Sequence, residues 1–119
     1  MKSFSQNINS DISQKLFYLI VLILFLRIDL VFLNNTPTGG DMGAHIVAIN
    51  TFINDFMPNF QINGWSNDWF AGYPLYYFYF PLPAIITFFF DLIFPFGVAF
   101  KLMVTISTIF MVYSFEKLL

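Results

Sequence analysis

Few side chains in this sequence could carry chemistry, and the most suggestive pair is Asp41 and His45. Asp41 follows Gly39-Gly40, and His45 comes four residues later. On a helix that spacing sets both on one face. A carboxylate and an imidazole so placed could share a divalent cation, or the carboxylate could orient the ring for proton transfer. The plainer reading is that Asp41 caps a helix, because Asp is a preferred N-cap and its charge suits a helix N-terminus. On spacing alone the cap is the stronger reading, although capping and catalysis are compatible. His45 by itself reads as a polar residue at the border of an apolar stripe.

Downstream runs Gly64-Trp65-Ser66-Asn67-Asp68-Trp69-Phe70-Ala71-Gly72-Tyr73-Pro74. Its Gly, Trp, Asp and Pro content suggests a fixed turn rather than a strand. Asp68 is a second carboxylate. Trp65, Trp69 and Tyr73 carry rings that stack on sugars or anchor at lipid headgroups. Aromatics continue through residues 76–80, denser than anchoring requires, as in a groove for a lipid or glycan. Arg27 and Asp29 interrupt an apolar run, where each costs about 2.5–3.5 kcal/mol at a bilayer centre. Two residues apart on a helix, they point to different faces. Either they snorkel outward, or they face other helices and a lipid phosphate. Asp91 is expected to pair with Lys101 in a structural role.

The elements that must hold these groups follow from hydropathy. Residues 16–34 form an apolar run without a small-residue cleavage site, and read as an uncleaved signal anchor behind a cytoplasmic tail over 1–15. Apolar runs over 76–94 and 98–116 flank turn chemistry at 95–97. This predicts an all-α integral membrane fold of about three transmembrane helices. Residues 35–75 are left as a long loop. Within it Met42, Ile46, Ile49, Ile53 and Phe56 recur at helical spacing until Met57-Pro58, which predicts an amphipathic helix over about 42–57 lying in the membrane interface. Lys2 and Lys15 precede the first span, Lys101 follows the turn, and no Lys or Arg lies between residues 28 and 100. The positive-inside rule then predicts a multi-pass protein of the cell membrane. Its N-terminus is cytoplasmic, its long loop extracytoplasmic and its 95–97 turn cytoplasmic.

Composition agrees. Of 119 residues, 58% are hydrophobic and 22% aromatic, while only 10% are charged. Mean hydropathy is +0.72. Such a chain cannot build the polar surface of a soluble enzyme. A net charge of −2 supplies no basic face for nucleic acid, and the absence of cysteine excludes disulfides, thiol nucleophiles and cysteine-based zinc sites. The partner indicated is the lipid bilayer.

One ordered series of motifs points further. Gly39-Gly40-Asp41-x-x-x-His45 is followed by the Gly64 to Pro74 segment, by Tyr79-Phe80-Pro81-Leu82-Pro83, and by Pro95-Phe96-Gly97-Val98-Ala99-Phe100-Lys101. Over roughly residues 16–117 the series resembles the N-terminal part of a family of large prokaryotic polytopic membrane proteins, the "6-pyruvoyl-tetrahydropterin synthase-related" membrane proteins. Pterin synthases bind zinc through three histidines, whereas this chain has one. The layout is more similar to the GT-C class of membrane glycosyltransferases, which take sugar from a polyprenyl-phosphate donor. That resemblance implies Asp41 as a base or metal ligand, with a divalent metal ion as the implied cofactor. It implies His45 as the partner of Asp41 and Asp68 as a second catalytic carboxylate. Trp65, Trp69 and Tyr73 are the implied substrate contacts, and Arg27, from its place in the apolar run, is expected to join them at a lipid phosphate. Members of that family run to many more spans, so the resemblance also implies a fragment, or a chain completed by downstream helices or partner chains. The other expectation is a non-catalytic membrane subunit or scaffold in which Asp41 only caps a helix.

Overall fold

The first apolar run does not continue as one helix through Arg27. In the computed structural model, which describes residues 2–68 and 71–118 and only the backbone of 2–11, α1 spans Lys2–Leu26. Arg27 then adopts a left-handed conformation (φ 45°, ψ 56°), and a single turn, α2, follows over Ile28–Val31. A left-handed L-residue costs roughly 1–2 kcal/mol. The break lets the Arg27 guanidinium grip Asp29 with both ends of its fork: Nε donates to Oδ1 at 2.9 Å and Nη2 to Oδ2 at 2.8 Å. The expectation that these side chains point to different faces of an unbroken helix over 16–34 is therefore corrected. The apolar part of α1, Ile12–Leu26, rises about 22 Å, short of a hydrocarbon core of about 30 Å.

Met1–Phe32 forms one compact unit and Leu33–Leu119 another. The second is organised around α3, Met42–Thr51. After Thr51 the helix widens into a π-turn over Phe52–Phe56, then tightens to a 3-10 turn over Met57–Asn59. Pro58 lacks the N–H that a longer helix would need, and Phe60 turns left-handed at φ 55°. The π-turn aims Phe52, Ile53 and Phe56 inward together, and all three are buried. Phe52 meets the rings of Phe56 and Tyr76 edge-on, with centroids at 6.5 and 5.4 Å. The apolar stripe from Met42 to Phe56 thus covers a protein core shared with Leu75, Ala84, Phe100 and Met103.

A β-hairpin replaces the turn expected over residues 64–74. β1 (Gly64–Ser66) pairs antiparallel with β2 (Tyr73–Leu75), Trp65 lying opposite Pro74 and Ser66 opposite Tyr73. Two close approaches explain the glycines. A Cβ on Gly64 would come within 2.9 Å of the Phe56 ring. One on Gly72, whose φ is +128°, would come within 2.5 Å of the Trp65 indole.

The chain then enters α4 (Leu82–Asp91) and, after a turn at 92–95, α5 (Phe96–Leu118). Pro81 and Pro83 explain the late start: residues 76–80 stay irregular, and α4 begins with proline in its first turn. At ten residues α4 rises about 15 Å, half a hydrocarbon core. Among the described residues α5 is the one helix long and apolar enough to cross a membrane. Its first half is core, with Gly97, Val98, Ala99, Phe100 and Met103 buried, while its second half exposes Ile109, Phe110 and Val112. The fold is mostly helical, and the expected span over 76–94 is a short helix with a non-helical lead.

The start of α5 is locked to the start of this unit. A Cβ on Gly97 would lie 2.8 Å from the Asn35 carbonyl oxygen. Lys101 Nζ donates to the Leu33 carbonyl at 2.5 Å and to Asn35 Oδ1 at 2.9 Å. Lys101 was expected beside Asp91; these oxygens hold it instead. The contact brings residue 35 and the 95–97 turn together.

Candidate functional site

Asp41 occupies the N-cap position of α3, and its carbonyl accepts the N–H groups of Ala44 and His45 at 3.0 and 3.3 Å. Its carboxylate makes no capping hydrogen bond. The side chain is exposed, as is that of His45 one turn later. The capping role read from the sequence is thus filled by the backbone, leaving the carboxylate oxygens available at the mouth of α3.

His45 opens onto a groove of about 400 Å³. Met42, His45 and Ile49 line it from one face of α3, and Pro83 closes it from the first turn of α4. The opposite wall is one face of α5, from Phe100 through Met103, Val104, Ser107 and Thr108 to Met111. The steps of three and four make that wall a single stripe. Its polar members are few: the His45 imidazole and the hydroxyls of Ser107 and Thr108. Thr108 donates to the Val104 carbonyl at 2.9 Å, which satisfies its proton. Flexible Met side chains at 42, 103 and 111 give the lining an adaptable, apolar character. Such a groove suits a hydrocarbon chain.

Asp68 does not join Asp41. Its Oδ2 accepts from Thr51 Oγ1 at 2.7 Å, and its N–H donates to Ser66 Oγ at 3.3 Å. Thr51 ends α3, so about 15 Å of helix separates the two acidic positions. Thr51 Oγ1 also lies 3.0 Å from the Val47 carbonyl, and its single proton serves one acceptor at a time. Thr51 and Ser66 are both buried, so Asp68 pins the hairpin to the end of α3. The structure therefore does not bring the Asp41 and Asp68 carboxylates together. Among the described residues no group of three or more His, Asp or Glu is placed to hold a metal.

The other expected contacts are dispersed. Trp65 is exposed, with its indole over Gly72 on the hairpin. Tyr73 is half-buried and packs against the core. Trp69 lies outside the described residues. Arg27 belongs to the first unit, where Asp29 occupies its fork. Sequence reasoning missed Thr51, and it missed the α5 stripe. The pair Ser107-Thr108 in an otherwise apolar helix was the available clue.

Comparison with known proteins adds no neighbour: no family model, curated protein or solved structure matches this chain.

Proposed function

We propose that this chain forms the N-terminal part of a membrane glycosyltransferase of the GT-C kind, acting on a lipid-linked sugar at the membrane surface. The observation that carries the reading is the junction of two chemistries at the start of α3. An uncapped carboxylate and an imidazole stand one turn apart, and the imidazole borders an apolar groove. A substrate with a polar head and a long hydrocarbon tail needs both. In the proposed step an acceptor hydroxyl gives its proton to the Asp41 carboxylate as its oxygen bonds to the anomeric carbon. The bond from that carbon to the donor's phosphate oxygen breaks, and the electron pair leaves with the lipid phosphate. His45 relays the proton from Asp41 to water. Two donors alone hold a divalent ion poorly, so any metal here would complete its shell with substrate oxygens.

In this reading the chain crosses the bilayer twice, once over residues 12–32 and once along α5, with Lys2, Lys15 and Lys117 on the cytoplasmic side. Residues 33–100 form an extracytoplasmic cap, and α4 does not cross. The contact of Asn35 with Gly97 supports that arrangement over three full spans.

A second reading, a membrane subunit without catalysis, is favoured by the distance between Asp41 and Asp68, since one isolated carboxylate is a sparse active site. Replacing Asp41 by Asn separates the two. Asn caps a helix as well as Asp does but cannot take a proton. Catalysis predicts that transfer is abolished at unchanged expression; the subunit reading predicts a silent substitution.

A further inference from the structure

We propose that residues 77–80 form an aromatic wedge that inserts into the lipid bilayer beside α5. The segment Tyr77, Phe78, Tyr79 and Phe80 is uniformly exposed, with Phe78 and Phe80 at 80% and 88%. A loop facing water is normally polar. Here no charged residue occurs between Asp68 and Asp91.

The chain is built to hold these rings outward. Tyr76 takes a left-handed backbone (φ 61°), and its own ring turns inward against Phe52 at 5.4 Å. Pro81 and Pro83 then fix the entry to α4. A wedge clamped at both ends keeps its shape without packing of its own.

Its position says what covers it. α4 doubles back along α5, and Pro83 lines the same groove as Val104, Ser107 and Thr108. The start of α4 therefore stands about 15 Å along α5, where the buried half of that helix gives way to the exposed half. Beyond this level α5 shows Ile109, Phe110, Met111 and Val112 outward. The four aromatics and exposed Leu82 thus extend the apolar band of α5 sideways. Lipid that covers one covers the other. Tyr hydroxyls at 77 and 79 and apolar rings at 78 and 80 fit the boundary between headgroups and acyl chains. The inference rests on α5 crossing a bilayer, and is independent of the transfer chemistry.

The chain lacks cysteine, so single nitroxide labels can be placed at will. Phe78→Cys, Phe80→Cys, Phe110→Cys and Asp55→Cys would be labelled in the whole chain, reconstituted in phosphatidylcholine vesicles. Collisions with oxygen and with a water-soluble nickel chelate are then compared. All four sites are exposed, so the label displaces no core contact. The proposal expects labels at 78 and 80 to favour oxygen, as at 110, and the label at 55 to favour nickel. Labels at 78 and 80 that read like 55, or that neither reagent reaches because protein covers them, would overturn it. A nickel-accessible label at 110 would overturn its premise, the crossing by α5.

Discussion

The Asn35 carbonyl oxygen lies against the Cα of Gly97, leaving no room for a Cβ, which would sit 2.8 Å from that oxygen and 3.0 Å from its carbon. Both obstructing atoms are backbone, so a side chain cannot swing aside to make room. This approach joins residue 35, near the start of the Leu33–Leu119 unit, to the first turn of α5. Gly97→Ala is expected to lower stability by about 1–3 kcal/mol, the usual cost of overpacking. Gly43→Ala is the internal control, because a Cβ there meets nothing within 4 Å. Thermal unfolding in detergent should show a lowered Tm for the first and an unchanged or slightly raised Tm for the second.

Sidedness can be read directly. Cysteines at Asn35 and Pro95 should react with a membrane-impermeant maleimide from the same face of oriented vesicles. Opposite faces would restore the three-span topology that hydropathy suggests.

Lys101 ties α5 to Leu33 and Asn35 through its ammonium. Lys101→Met keeps much of the side-chain volume and removes the donors. Hydrogen bonds to a charged group contribute about 1.5–3 kcal/mol. A loss in that range is expected in chemical denaturation, with protease cutting in the 33–40 segment at lower denaturant.

Some of this was legible in the sequence and some was not. The 3-4 spacing from Met42 to Phe56 marks a helix, and Pro95 with Gly97 marks a turn, because both depend on local backbone preferences. The destination of the apolar stripe was not legible, since lipid and a protein core select the same side chains. Arg27 was hidden for a related reason. Hydropathy shows a charge in an apolar run but not a left-handed turn that lets Asp29 reach it. The hairpin was obscured because Gly64 and Gly72 read as turn residues, whereas they mark where the Phe56 and Trp65 rings press on the backbone. For the site, the Asp41–His45 spacing was visible. The displacement of Asp68 by the length of α3 depends on Thr51, which carries no recognisable motif.

Thr51 and Asp68 test the hairpin's attachment. Thr51→Val leaves Asp68 without its buried donor and is expected to cost about 1–3 kcal/mol, whereas Thr51→Ser keeps the hydroxyl and most of the stability. Hydrogen exchange at residues 64–66 should quicken in the Val variant only. Equal exchange in both would mean that the contact contributes nothing to holding β1.

The proposed function requires Asp41 to accept a proton at the mouth of the apolar groove. The most direct measurement is sugar transfer from polyprenyl-phosphate donors in membranes carrying the protein as it occurs in its host, compared with Asp41→Asn at matched expression. Transfer present in the first is expected to disappear in the second, while helix content and Tm are preserved. Undiminished transfer by Asp41→Asn would mean that Asp41 is not the base.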